Sequence, residues 1–223
     1  MLDPASQSGS LDTPGLPRRH SLNPSEQPDL LLIERARGGS EPAVEALMRR
    51  YARRLFRVAR SVVNDDEGAE GAVRDACVAA FGDLSRYEPT GKFAAWLTRL
   101  VYQQARSARP SARGRAAGPA SAHGVLVAAI EQLPELFRTV FVLRVIEGIS
   151  GIESAACLGI HETTVRTRLY RAHRRLDAEL VRGMRLQSDL LDLPPGAAQR
   201  LVDAVLARFP REAGAPAAVA PAR

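Results

Sequence analysis

The sequence is poor in the residues that build disulfides, metal sites and catalytic centres. Its two cysteines, Cys77 and Cys157, lie in separate apolar helical patterns, so we expect small buried thiols rather than a disulfide or a metal pair. The four histidines do not fall at ligand spacing, which predicts no metal site. No nucleophile–base set and no phosphate-binding glycine loop occur either. We therefore expect neither an enzyme nor a bound cofactor.

Long apolar runs are also missing. No run approaches the roughly 20 residues that a helix needs to cross a bilayer. The N-terminal segment is rich in proline, serine and glycine and has no apolar signal core. These features predict a cytoplasmic protein without membrane insertion.

Aromatic residues are scarce, at 5% of the chain, whereas hydrophobic residues reach 45%. The cores must therefore be built from leucine, valine, isoleucine and alanine. Apolar residues recur at spacings of three and four, and no strand pattern of any strength appears, which predicts an all-α fold. The formal net charge of +6, carried by arginine with Lys92 as the single lysine, favours a polyanionic partner.

Segments rich in proline and glycine divide the chain into two small helical domains joined by a flexible linker. Residues 1–27 lack periodicity and are predicted to be disordered. The first domain takes residues 28–108, and the second, with a helix-turn-helix, takes residues 125–182. A free coil of ~16 residues spans about 20 to 25 Å, so the linker, residues 109–124, lets the domains sit far apart. Residues 183–223 are expected to form a helical extension and a loose tail, with ordinary packing on either domain.

The last helix of the first domain, from about Phe93 to Ala108, has an apolar stripe and a polar face. Trp96 belongs to the stripe, and we expect it to pack in the core rather than stack on a base. The outer face offers Arg99, Tyr102, Gln103 and Arg106.

The pattern of a helix-turn-helix begins at Ser150. Ser150 and Glu153 form a capping box at the start of a short helix. Gly159 suits a left-handed turn that redirects the chain into a second helix. The apolar side of the first helix is predicted to comprise Ile152, Ala155, Ala156 and Leu158.

The second helix of this motif separates an apolar face from a basic one. Val165, Leu169, Ala172 and Leu176 share one side at helical spacing. The other side carries Thr163, Arg166, Thr167, Tyr170, Arg171 and Arg174. Because a helix fits the major groove and arginine bonds guanine bidentately, this face predicts DNA binding, with Arg174 suited to phosphate. An ordinary solvated basic face is the weaker alternative.

Taken together, these motifs resemble bacterial sigma factors of the extracytoplasmic-function group over about residues 29–180. Tyr51 with Leu55, the segment 66–84 and the segment 86–106 around Phe93-Ala94-Ala95-Trp96-Leu97 are similar to that group's N-terminal domain. Five further segments resemble the promoter-reading domain of that group: Leu133-Pro134, Val140-Phe141-Val142-Leu143-Arg144, Glu147-Gly148-Ile149-Ser150, Leu158-Gly159-Ile160 and the run from Thr164 to Ala172.

The resemblance implies a factor that binds core RNA polymerase, brings it to promoter DNA and helps to open the duplex. It implies that Arg166, Thr167, Tyr170 and Arg171 contact the upstream (minus-35) element. The first domain would melt the downstream (minus-10) element and hold a flipped base beside a basic track. The residues expected there are Lys92, Arg99, Tyr102, Gln103 and Arg106. Glu70, Arg74 and Asp75 would bind polymerase, and an anti-sigma factor is an expected partner.

Two other functions stay open at this stage. The group commonly has an acidic residue at Gly71 and Asn at Gln103, and these departures, with Arg74, allow a degenerate sigma-like interaction module. A stand-alone helix-turn-helix regulator would need a sensory or dimerising first domain, which the basic face of that domain disfavours.

Overall fold

The computed structural model describes residues 27–88, 92–108, 122–176 and 190–210. Within these ranges the chain forms helices and turns and no strand, as the all-α prediction requires. The predicted disordered segment (apart from Gln27), most of the linker and the C-terminal tail lie outside the described residues. No helix in the described ranges is long and apolar enough to cross a membrane.

Four helices form the first domain: α1 (Asp29–Arg37), α2 (Glu41–Val63), α3 (Asp66–Gly82) and α4 (Phe93–Ser107). They pack around one core of leucine, valine, alanine and phenylalanine side chains. A short 3-10 turn, Leu84–Arg86, leaves α3 towards α4.

Local backbone chemistry sets the boundary between α2 and α3. Asn64 ends α2 in the left-handed conformation (φ 64°), which asparagine tolerates better than most residues. Asp65 then caps α3, its carboxylate accepting a hydrogen bond from the Gly68 amide at 2.6 Å.

Asp29, in the first turn of α1, connects this helix to α2. The cap position belongs to Pro28, and the helix already includes Asp29. The Asp29 carboxylate instead accepts hydrogen bonds from Arg50 and Tyr51 on α2, so it joins the two helices.

The second domain begins with α5 (Ala122–Glu131) and α6 (Glu135–Phe141), and α6 continues into a π-helical turn, Val142–Ile146. The helix-turn-helix follows as α7 (Gly151–Leu158) and α8 (Glu162–Arg175). Phe141, Val142 and Ala172 are among the buried side chains at its centre.

The two domains pack against each other through a shared interdomain core. Its members are buried side chains from both domains: Val58, Ala95, Tyr102, Val140, Leu143, Ile149, Ala155, Cys157, Leu158 and Val165. The linker length had suggested separate domains. The linker permits separation, but each domain has apolar residues beyond its own core, and burying these against the other domain is favourable.

Buried arginine side chains reinforce this contact. Arg138 on α6 donates to the Ser61 carbonyl of α2 at 2.5 Å and to Asn64 Oδ1 at 3.0 Å. Arg57 of α2, which is 4% exposed, pairs with Glu147 at 2.8 Å, and Arg60 pairs with Glu131 at 2.5 Å. Domain contact therefore has polar as well as apolar components.

The C-terminal segment, residues 190–210, runs across both domains. Leu190 and Leu191 are buried in the core of the second domain. After a proline-rich turn, α9 (Ala197–Leu206) packs on α2 and α3 of the first. Both expected free thiols are buried: Cys77 in the first-domain core and Cys157 between the domains.

Candidate nucleic-acid interface

The turn between α7 and α8 has the backbone geometry that its sequence predicts. The Ser150 hydroxyl accepts a hydrogen bond from the Glu153 amide at 3.1 Å, which caps α7. Gly159 takes a left-handed conformation at φ 65°, which directs the chain from α7 to α8. The Glu153 carboxylate contacts the first domain, with Arg54 at 3.5 Å and Lys92 at 3.1 Å.

The buried side of α7 is rotated from the predicted one. Ala155 and Leu158 are buried as expected, but Ile152 is 72% exposed, and Ala156 is exposed as well. Ser154 and Cys157 take the inner positions instead. The reason is that α7 packs between α4 of the first domain and α8, so its orientation is set by two neighbours rather than one.

The recognition helix α8 presents the predicted faces. Val165, Ala172 and Leu176 are buried, and Leu169 is partly buried against the cores. All six predicted contact residues are exposed: Thr163, Arg166, Thr167, Tyr170, Arg171 and Arg174.

The exposed face of α8 carries uncompensated positive charge. Arg166, Arg171 and Arg174 form no ion pair within the part of the chain that the structure describes. The acidic residue at the start of the helix, Glu162, lies beside Gly151, where an added Cβ would come within 2.8 Å of its Oε1. The helix surface therefore offers free guanidinium groups to a polyanion.

The short polar side chains of α8 are placed near its first two turns. The Thr167 hydroxyl donates to the Thr163 carbonyl at 2.9 Å, which fixes the hydroxyl and leaves the rest of the exposed side chain accessible. Tyr170 is 63% exposed, unusual for a tyrosine with a large apolar ring. This combination of donors, a ring and methyl groups suits contacts with bases and phosphates.

Four of the five predicted downstream-element residues lie beside the second domain, and of these Tyr102 alone is buried. Lys92 pairs with Glu153, and Arg106 approaches Glu135 at 3.7 Å. The Arg99 guanidinium lies so close to Gly159 that a Cβ there would meet it at 3.3 Å. These three side chains therefore contact protein rather than solvent alone.

Tyr102 is not on an outer face, contrary to expectation. It is 6% exposed because the second domain covers it, and the Arg106 guanidinium lies 5.7 Å from its ring centre. Burial raises the pKa of its hydroxyl above the usual value. Helical periodicity identifies α4 as an amphipathic helix, but it does not show that another domain packs on the polar side.

Gln103 lies away from the second domain, in a groove between α3 and α4. It is exposed and lines this groove together with Ala76, Trp96 and Leu100. Trp96 itself packs on Tyr87 and Phe93, with ring centres 5.3 and 5.5 Å away, as expected for a core residue. The structure thus separates Gln103 from the other four downstream residues.

The three residues predicted to bind polymerase share α3. Arg74 and Asp75 are exposed and pair with each other at 2.9 Å. Glu70 is instead held by Arg200 of α9, with contacts of 2.6 and 3.1 Å. At Gly71 an added Cβ would meet only Arg74 Nη2, at 3.7 Å, so this part of α3 is open.

Two sets of contacts were not predicted from the sequence. These are the interdomain arginines of α2 and the contact between α9 and Glu70. A signal for the first exists, since Arg54, Arg57 and Arg60 recur every three residues on an otherwise apolar helix side. Nothing in the sequence pattern identifies the partner of Arg200.

Comparisons with known proteins match both domains in order. A family model described as Sigma-70 region 2 matches residues 47–115, and one described as Sigma-70, region 4 matches residues 123–176.

Several characterised relatives share both domains. The ECF RNA polymerase sigma factor SigE of Mycolicibacterium smegmatis is 30% identical over 180 residues, which cover 70% of this chain and 69% of that protein. The ECF RNA polymerase sigma-E factor of Escherichia coli is 28% identical over 178 residues, covering 67% of this chain and 92% of its own. A solved structure, CnrH in complex with the cytosolic domain of CnrY, is 31% identical with a TM-score of 0.58, covering 68% of this chain and 96% of CnrH.

Proposed function

The chain belongs to the extracytoplasmic-function group of RNA polymerase sigma factors, and we propose how its surfaces divide the work of promoter recognition. The helix-turn-helix reads the upstream element, α4 holds the opened downstream element, and α3 docks on core polymerase. In this division the chain acts in the cytoplasm, where it binds polymerase and positions it on promoter DNA. Polymerase supplies the bond-making chemistry.

The exposed basic face of α8 is the observation that carries the proposal. Thr163, Arg166 and Thr167 stand near the N-terminal end of the helix, the part that reaches base edges in the major groove. Tyr170 and Arg171 follow one turn later, and Arg174 lies where a phosphate contact would fix the register. Free guanidinium groups in the described chain support this role, because no internal ion pair has to break on binding.

The downstream surface requires a change in domain arrangement. Lys92, Arg99, Tyr102 and Arg106 contact the second domain in the free chain. The three basic side chains stay exposed, but Tyr102 is buried, so a DNA base reaches it only after the domains part. The ion pairs involving Lys92 and Arg106 are largely solvent-exposed and therefore weak. Single-stranded DNA could replace the Glu135 and Glu153 carboxylates with phosphates, and Tyr102 would then be available for base stacking.

Protein partners are proposed on two surfaces. On α3, the exposed charges of Arg74 and Asp75 would contact core polymerase, and Glu70 would join them once Arg200 releases it. CnrH, a similar protein, has been solved with the cytosolic domain of CnrY, which supports a protein regulator of this chain as well. We assign such a regulator to the anti-sigma class expected for this family.

Run-off transcription with purified core polymerase and fragmented genomic DNA tests the proposal. Discrete transcripts that require the full chain are expected. Polymerase binding without any transcript would instead favour the degenerate interaction module, in which the domains do not part. DNA binding in the absence of any polymerase binding would favour a stand-alone regulator, and no binding to either would refute all three.

A further inference from the structure

We propose that α9 is an intramolecular competitor of core polymerase: it occupies the α2–α3 face of the free chain and must leave before polymerase docks. The inference rests on the proposed docking role of α3. It concerns a segment beyond the two domains that the family models match.

The apolar side of α9 is fully used against the first domain. Leu201, Val202 and Val205 are buried, and Phe209 just after the helix is buried in the same core. These side chains follow helical spacing, so one face of α9 meets α2 and α3. An amphipathic helix seated on an apolar surface between two helices is a common mode of helix recognition between proteins.

A polar contact connects α9 to Glu70, one of the three proposed docking residues. The Arg200 guanidinium binds both carboxylate oxygens of Glu70, Nη2 to Oε1 at 2.6 Å and Nε to Oε2 at 3.1 Å. On α2, Arg49 donates to Gln199 at 2.6 Å. Because Arg200 bonds both oxygens of Glu70, a basic group of polymerase has to compete with Arg200 for that carboxylate while α9 is docked.

The start of the C-terminal segment fastens the same surface to the second domain. Leu190 and Leu191 are buried there, and Asp192 pairs with Arg53 of α2 at 3.0 Å. Asp192 also lies 3.9 Å from Arg57, the buried partner of Glu147. The segment therefore favours the arrangement in which the second domain covers Tyr102, so its release would favour access to Tyr102 as well as to the α2–α3 face.

Helix α9 is suited to reversible docking. It spans ten residues, and helices of that length are marginal in water without packing. Its N-cap residue, Gly196, is in a left-handed conformation and supplies no side-chain cap. Its helical form therefore depends on the surface that it covers, and a partner that takes that surface would leave it unfolded.

The first test measures binding of the full chain to core polymerase by biolayer interferometry. Val202→Asp places a charge in the apolar contact and should raise the apparent affinity for polymerase at least tenfold. The gain should equal the factor by which docking of α9 lowers the fraction of chains that can bind polymerase. Arg200→Ala should give a smaller gain, about two- to threefold, since the pair is partly exposed. Ala207→Asp adds the same charge at an exposed position and should match the wild type.

Equal or weaker binding by Val202→Asp and Arg200→Ala, with clear wild-type binding, would overturn the competition while leaving the proposed function intact. Absence of binding by every chain would overturn both.

A second measurement uses the unmodified chain and so does not depend on how the variants fold. Amide hydrogen exchange of residues 197–206 should speed up when core polymerase is added, because α9 is displaced. Unchanged or increased protection of these amides in the complex would contradict the competition.

Discussion

Replacing Arg171 by alanine should weaken binding to the upstream element without weakening the fold. Arg171 is exposed on α8 and forms no ion pair in the described ranges, so its loss removes no internal contact found there. A bidentate contact with guanine contributes about 1–3 kcal/mol of discrimination, which corresponds to a roughly 5- to 150-fold rise in Kd. A phosphate contact would instead weaken binding to all sequences and lower the salt slope by about one.

Fluorescence anisotropy with the full chain separates these two outcomes. Binding is measured to a duplex carrying the upstream element mapped by run-off transcription, and to the same duplex with the guanines replaced, at several salt concentrations. Arg171→Lys keeps the charge but loses the forked donor geometry, so it should lose discrimination and keep the salt slope. Arg208→Ala removes the same charge at an exposed site near the end of the C-terminal segment and is the control.

Two results would refute this reasoning. Wild-type affinity of Arg171→Ala for the mapped duplex would remove Arg171 from the interface. An equal loss on both duplexes would assign it to phosphate, and base reading would then have to rest on Arg166 or Thr167.

Three further predictions concern buried side chains in the domains and at their interface. Glu147→Gln removes the carboxylate charge that pairs with the buried Arg57 at 2.8 Å and should cost about 3 kcal/mol, seen as a lower urea midpoint; an unchanged midpoint would argue against a buried pair. Ser154→Ala removes a buried hydroxyl that has no hydrogen-bond partner in the described chain and should raise Tm by a few degrees, whereas a lower Tm would show that the hydroxyl is satisfied. Burial raises the pKa of Cys157 to about 11 and of Cys77 to about 12, so both thiols should resist thiol reagents at pH 8 until the chain unfolds. The free energy of unfolding should be retained below about pH 8.5 and fall above it, because the thiols ionise in the unfolded chain before they ionise in the folded one. A free energy of unfolding that does not change above this pH would contradict the prediction.

The sequence predicted the helix-turn-helix in most details because local chemistry determines it. Ser150 caps, Gly159 turns, and the period of α8 separates Val165 from Arg171, all without help from distant residues. The phase of α7 was partly wrong because Ile152 lies outside both of its packing contacts. Periodicity identifies an apolar side, whereas the choice of partner depends on tertiary contacts.

The arrangement of domains was beyond the reach of sequence patterns for the same reason. Tyr102 was predicted to lie on the outer face of α4, yet it is buried in the interdomain core together with Ala95, which is seven residues earlier on the same side of the helix. A helical extension after the second domain was predicted, but the contact of α9 through Arg200 with Glu70 joins residues 130 positions apart. Such contacts depend on shape and charge complementarity across the folded surface.

In the closed arrangement of the domains, the proposed DNA and polymerase surfaces differ in how accessible they are. In the free chain the recognition face of α8 is exposed, whereas Tyr102 is buried and Glu70 is paired within the molecule. We therefore expect upstream recognition to be available before strand opening, which needs polymerase to bind and the domains to part.

Permanganate footprinting of a mapped promoter tests promoter opening most directly. With core polymerase and the full chain together, thymines of the downstream element should become reactive on the non-template strand, and with either alone they should not. A duplex that stays unreactive while polymerase and chain are both bound would contradict the assignment of this chain as an initiating sigma factor.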